Sequence, residues 1–297
     1  MSPRSVFRGG GRWLALVIAL VAAAACQARG SDSERIAALM AQAKRLAGAT
    51  CSVTELNQAA ALYGEGFGIL RSSRDVAAGL RCRFLLDAAE CWARRGAYDR
   101  AAQALRAAAK AKWAWDAAEA ARRLKQLEPL AKRWEEAQGL RNAPKRSEAI
   151  VAFERIAREY PAAAAAALCQ QAVLHVALHQ LAEAERILRD VATTYKGAYH
   201  GELALGDLGS VYQEQGKYDK ALAAYRESIE TYGDVKDRGL VHFWIGVLRA
   251  EMGQKHEALK ELAVARKAQA QLPERGGRML EGRIAEAEAK AKALKGN

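Results

Sequence analysis

The chain has 297 residues, enough for a sizeable core or for a repeat array longer than one compact domain. The low content of aromatic residues, 7%, and the presence of only 5 prolines argue against a β-sheet protein. The chain is rich in alanine, leucine, arginine, glutamate and lysine, as helical proteins are. The formal charge is +12, but the bases are interspersed with acids, which indicates solvated helix faces. The export predicted below argues against a nucleic-acid partner.

The N-terminus has the pattern of an export signal. Arg4, Arg8 and Arg12 precede an apolar run from Trp13 to Ala25 that is too short to span a bilayer comfortably. This pattern predicts a secretory signal peptide over residues 1–25. An uncleaved inner-membrane anchor, with the rest of the chain facing the cytosol, is the alternative.

Small residues lead directly into Cys26 and resemble the lipobox of bacterial lipoproteins, although Ala23 stands where that motif usually has leucine. The resemblance implies cleavage before Cys26 and lipidation of its thiol. Gln27 in the next position, where inner-membrane retention requires aspartate, favours the outer membrane. An ordinary signal peptide cleaved after an Ala-x-Ala site is the other reading.

A short linker over 26–32 precedes a degenerate helical pair predicted for residues 33–74. Its "GEGFG", Gly64 to Gly68, lacks the spacing and preceding strand of a phosphate loop, so close helix packing explains it better. Cysteines 51, 82, 91 and 169 form neither a disulfide framework nor a zinc motif. Cys82 and Cys91 fall on opposite faces of one predicted helix, which leaves a Cys51 to Cys91 bridge or buried free thiols.

A helical pattern recurs through the rest of the chain. An alanine is followed by a large residue four positions later and by another apolar or small residue three positions after that, which is one face of an α-helix. The alanines are Ala101, Ala149, Ala184, Ala221 and Ala258, and the large residues are Leu105, Phe153, Leu188, Tyr225 and Leu262.

These units resemble tetratricopeptide repeats, which are helix-turn-helix units of 34 residues. The unit from Glu202 carries the family's small and aromatic positions as Gly209, Tyr212, Gly216, Tyr218, Ala221 and Tyr225, and Pro161 closes an earlier unit. The resemblance implies an all-α fold, a right-handed α-α superhelix of antiparallel helix pairs. We expect it over residues 75–297, with a long helical insert at about 112–140, a kink or boundary at Pro129 and a C-terminal capping helix.

No catalytic constellation is present in the sequence. His175 and His179 are four residues apart but lack a third ligand and the glutamate of zinc peptidases, and His175 occupies an aromatic core position of its repeat. We therefore expect no enzyme, no metal and no cofactor.

The family resemblance implies that partners bind on the concave face, which the first helix of each pair lines. The inward positions fall on Gln170, Val173 and Val176, on Asp207, Ser210, Gln213 and Glu214, and on Phe243, Trp244, Val247 and Glu251. Phe243 and Trp244 either anchor a partner or pack against the neighbouring repeat.

The sequence thus predicts a non-catalytic scaffold at the bacterial cell envelope, facing the periplasm as an outer-membrane lipoprotein. It holds a protein or peptide partner in its groove. An accessory subunit that binds an anionic glycan through the basic surface is a second hypothesis.

Overall fold

The computed structural model describes residues 31–48, 53–73, 76–110, 114–142, 144–232, 239–269 and 274–294. The expected signal peptide, Cys26 and Cys51 lie outside these ranges. The described part consists of α-helices and one short 3₁₀ turn, Pro161–Ala163. The helices are α1 Asp32–Leu46, α2 Val53–Ser72, α3 Ala78–Arg94, α4 Tyr98–Ala109, α5 Ala114–Gly139, α6 Arg146–Glu159, α7 Ala164–Ala177, α8 Leu181–Thr194, α9 Tyr199–Glu214, α10 Tyr218–Tyr232, α11 Gly239–Glu251, α12 Lys255–Gln269 and α13 Glu274–Ala293.

Each helix packs chiefly on its neighbours in sequence, which is the arrangement of an α-solenoid. The alanine slot explains why the pairs close tightly. Ala101, Ala149, Ala184, Ala221 and Ala258 are all fully buried. A larger side chain there would push the second helix away from the first.

The turn inside four of the pairs has one recurring geometry. The second residue after each first helix adopts a left-handed conformation, at Gly96 (φ 77°), His179 (φ 56°), Gly216 (φ 71°) and Gly253 (φ 74°). The next residue then donates its backbone N–H back across the turn, as from Lys217 to the carbonyl of Tyr212 at 2.8 Å. The equivalent bonds at Ala97, Gln180 and Gln254 are 2.8, 2.9 and 2.9 Å long. This C-terminal cap satisfies carbonyls that a helix end leaves free, and glycine adopts it without steric cost.

Glycines inside the helices permit close contact between them. A Cβ on Gly209 would lie 2.3 Å from the ring of Tyr225, and one on Gly66 would lie 2.2 Å from the ring of Phe84. Close packing within "GEGFG" therefore holds at Gly66, while Gly64 and Gly68 face open space.

Two local expectations differ from the structure. Pro129 does not end a helix, because α5 continues through it from Ala114 to Gly139. His175 is only half-buried, and its Nδ1 lies 2.6 Å from Oε1 of Gln180 in the following turn, so it braces the turn instead of filling the core.

Cys82 and Cys169 are buried free thiols, and Cys91 is also buried. The expected alternative of a bridge between Cys91 and Cys51 involves a residue outside the described ranges. Cys82 points to the carbonyl of Ala108 and Cys91 to that of Leu56, on opposite sides of α3.

The N-terminal helices also contact the middle of the array. Tyr199, at the start of α9, packs beside the N-terminal core and donates its hydroxyl to Oδ1 of Asn57 on α2 at 3.3 Å. None of the described helices is long and apolar enough to cross a membrane.

Candidate partner-binding groove

The first helices of three successive pairs, α7, α9 and α11, place the predicted inward residues along one face of the array. On α9, Asp207, Ser210 and Glu214 follow one another at three- and four-residue spacing, and so share one side of the helix. We call the surface formed by Gln170, Val173, Val176, Asp207, Ser210, Gln213, Glu214, Trp244, Val247 and Glu251 the groove.

Asp207 lies at the centre of the groove and is half-buried. Burial raises the pKa of its carboxyl to about 6, because desolvation disfavours the charged form. Its electrostatic neighbours are the thiol of Cys169 on α7 and the phenol of Tyr225 on α10. Among the described residues, no cation forms an ion pair with Asp207, so its negative charge is uncompensated.

Ser210 and Tyr225 form the polar border beside Asp207. Their hydroxyl oxygens are 3.2 Å apart, and the Ser210 hydroxyl also donates to the carbonyl of Gly206 at 3.3 Å. Burial is the main cause that raises the pKa of Tyr225 to about 12, with the charge of Asp207 adding to it. The hydroxyl therefore stays protonated at physiological pH.

Trp244 forms one wall of the groove. Its ring stacks on Tyr225 with centroids 5.8 Å apart and an interplanar angle of 27°. A Cβ on Gly206 would lie 2.9 Å from the same indole, so the glycine lets α9 approach it. Trp244 remains half-buried, and so it packs against the preceding repeat and still contributes to the surface.

Phe243, predicted as a partner-binding residue, is 5% exposed and packs in a core cluster with Leu262 and Ile284. It also lines a cavity between α11 and α13 together with Val247 and Glu251. The guanidinium of Arg283 lies 4.8 Å from the centroid of its ring. The capping helix α13 occupies the position that a next repeat would take, and covers Phe243.

The remaining groove residues lie toward the two ends of the groove, on α11 with the end of α9 and on α7. Gln213 donates to Glu251 at 2.7 Å and ties α9 to α11, while Glu214 is exposed. Val247 and Glu251 line a cavity of about 340 Å³ between α11 and α13.

On α7, Val173 is 37% exposed and Val176 is partly buried. Gln170 is half-buried, and its Oε1 has no hydrogen-bond partner among the described residues. The carboxylate of Asp207 and this amide oxygen are thus two acceptors that receive no hydrogen bond from the part of the chain that the structure describes.

The ten residues that define the groove include three acids, Asp207, Glu214 and Glu251, and no base. At the α11 end, Arg283 and Lys290 line the cavity beside Glu251, so the uncompensated acid is Asp207. The family's spacing located these residues, but it could not show that Asp207 is desolvated or that α13 covers Phe243. The repeat spacing and the composition do not indicate whether a helix distant in sequence buries a given residue.

The helix pairs are stacked in sequence, their turn geometry recurs along the chain, and their first helices share one face. These features define a helical-repeat solenoid. The tetratricopeptide repeat family model matches residues 162–234, which span α7 to α10. Residues 162–234 therefore match the tetratricopeptide repeat, as the sequence pattern predicts.

Three solved structures are similar at low identity. "MamA protein" has 17% identity and a TM-score of 0.38, over 65% of this chain and 93% of its own. The "TPR2AB-domain:pHSP90-complex of yeast Sti1" has 14% identity and a TM-score of 0.35, over 86% and 98%. BtubC from P. vanneervenii has 14% identity and a TM-score of 0.33, over 82% and 92%. A comparison with curated protein sequences found no match.

Proposed function

We propose that this protein is a non-catalytic scaffold that binds an extended or helical segment of a partner protein in the groove. The observation that carries the proposal is Asp207, a half-buried carboxyl with no cation beside it. A buried charge is retained at a cost in stability, so such a residue marks a site where a ligand compensates it.

The groove determines the chemistry of the bound segment. Asp207 and the free amide oxygen of Gln170 both accept hydrogen bonds, so the segment must supply donors. A lysine or arginine side chain provides them together with the missing positive charge. Val173 and the exposed edge of Trp244 add apolar contact on either side.

Site-specific photo-crosslinking in cells tests this surface. A benzophenone amino acid at Val173 should capture a discrete partner, and mass spectrometry should place the crosslink beside a lysine or arginine. The matched control is Val151 on α6, which is 54% exposed and outside the groove. Capture of the same proteins from both positions would contradict a groove-specific partner, as would capture unchanged by Trp244→Ala.

We also propose that the protein is anchored to the envelope through Cys26, because small residues precede that cysteine as in lipoproteins. Cys26→Ser should move the chain from the membrane fraction to the soluble fraction. Ala37→Ser, at an exposed position of α1 outside the lipobox, serves as the control. Unchanged fractionation of Cys26→Ser would rule out lipid anchoring and favour an uncleaved N-terminal anchor.

A further inference from the structure

A second surface lies on the opposite side of α9 from the groove. It is an open cleft of about 400 Å³ between α8 and α10, with α9 as its floor. Leu205, Leu208 and Tyr212 face it, whereas Asp207, Ser210 and Glu214 are rotated about half a turn away. The lining residues are Arg189, Ala192, Thr193, Lys196, Leu205, Leu208, Tyr212, Lys220, Ala223, Ala224 and Glu227.

Cations surround the aromatic ring in this cleft. The ammonium groups of Lys220 and Lys217 lie 5.7 and 6.0 Å from the centroid of the Tyr212 ring. The guanidinium of Arg189 donates to the Tyr212 hydroxyl at 2.9 Å. Tyr212 itself is 6% exposed, so its ring holds these charges in place at the end of the cleft.

Carboxylates of the chain compensate only part of this charge. Glu185 takes ion pairs from Arg189 and, at 3.3 Å, from Lys217. Among the described residues, neither Lys196 nor Lys220 forms an ion pair with a carboxylate. Glu227 is the one acid among the lining residues. The cleft thus presents an apolar floor with an excess of positive charge on its rim.

We propose that this cleft binds an acidic peptide segment in which a glutamate or aspartate stands next to apolar side chains. Charge complementarity identifies the occupant: Lys196 and Lys220 take the carboxylate, while Leu205, Leu208 and Ala224 take the apolar side chains. A cleft of this volume that is open along its length suits a few side chains of a segment better than an enclosed small molecule. The site is separate from the groove, where the ligand must be a cation.

Binding of three labelled octapeptides to the full chain tests the proposal by fluorescence anisotropy. Each peptide has the same four leucines, with Glu, Gln or Lys at the other four positions. We expect the Glu peptide to bind about tenfold more tightly than the Gln peptide, and added salt to reduce the difference. The three peptides are compared on Asp207→Asn, in which the groove lacks its negative charge, and there the Lys peptide should bind more weakly still.

Substitutions then locate the binding. Lys220→Glu and Lys196→Glu should each weaken the Glu peptide about tenfold, and Glu227→Gln should strengthen it. Lys260→Glu on the exposed face of α12 makes the same change in net charge and should have no effect. Asp207→Asn should also leave the Glu peptide unaffected, which separates this site from the groove.

Equal affinity for the three peptides would overturn the proposal, and so would an equal loss from Lys260→Glu. Vesicles rich in phosphatidylglycerol provide the remaining arm. The cleft is a lipid-headgroup site, and the proposal is wrong, if the chain binds these vesicles, if Lys220→Glu abolishes that binding, and if the chain shows no preference among the peptides.

Discussion

His179 has a left-handed backbone in a turn where the three equivalent positions are glycine. A residue with a Cβ pays a steric cost in this conformation that glycine avoids. We therefore expect His179→Gly to raise the free energy of unfolding by about 0.5–1 kcal/mol. Chemical denaturation measures it.

Gly216→Ala is the matched reverse change, since Gly216 has the same conformation with open space around its Cβ position. It should lower the free energy of unfolding by about 1 kcal/mol. The same sign for both substitutions would contradict the shared turn geometry.

Gly209 tests packing between the two helices of one pair. Gly209→Ala would bring a methyl group to within 2.3 Å of the Tyr225 ring, and should destabilise the protein by about 1–3 kcal/mol. Gly64→Ala is the control, because nothing lies within 4 Å of its Cβ position on α2. It should stabilise the protein by about 0.5–1 kcal/mol through helix propensity. Equal melting temperatures for the two variants would show that Gly209 is not at a close contact.

Asp207 should make stability depend on pH. Its carboxyl has a pKa of about 6 in the folded protein, above the ordinary aspartate pKa of 3.8, so the folded state binds its proton more tightly than the unfolded state does. Stability is therefore lost as pH rises from about 4 through 6 and the buried group ionises.

Asp207→Asn removes this cost. The free energy of unfolding should rise by up to about 3 kcal/mol at pH 8 and should not change at pH 3. Glu230→Gln, at an exposed position of α10, is the control for loss of one carboxylate. A gain of equal size at both pH values would show that the effect is not ionisation.

At the scale of helices, α13 closes the array. Ile284 is fully buried against α11 and α12, in the same cluster as Phe243 and Leu262. Ile284→Ala should cost about 2–5 kcal/mol in the local stability of this end. Since each pair in a solenoid contacts only its neighbours, the loss should remain near the C-terminus.

Hydrogen exchange should then show faster exchange in α11, α12 and α13 and unchanged rates in α3 and α4. Glu281→Ala, at an exposed position of α13, should leave all rates unchanged. Faster exchange throughout the chain would mean that the array unfolds as one unit.

At the scale of the whole molecule, the sequence predicted those features that depend on the spacing of residues within one helix or one helix pair. The buried alanines, the turn at Gly216 and the core role of Tyr212 and Tyr225 follow from helical spacing, and the structure confirms them. The long helix from Ala114 to Gly139 agrees with the helical insert predicted at about 112–140, but the alternative of a boundary at Pro129 does not hold, because packing against α4 and α6 stabilises the helix around the proline.

Long-range features carry even less sequence signal. The hydrogen bond from Tyr199 to Asn57 joins residues 142 positions apart. The burial of Phe243 depends on α13, and the desolvation of Asp207 depends on side chains from α7 and α10. The spacing therefore placed the candidate groove, and only the packing of separate helices showed which of its residues are accessible.

The central claim is that Asp207 binds a cationic side chain of a partner segment. The most direct measurement is the affinity of the segment captured at Val173 for the wild type and for Asp207→Asn, at pH 7.5 and at pH 5. The wild type should bind about tenfold more tightly at pH 7.5 than at pH 5, because Asp207 is ionised only at the higher pH. Asp207→Asn should bind weakly at both. Equal affinities of the two proteins at pH 7.5 would contradict the account.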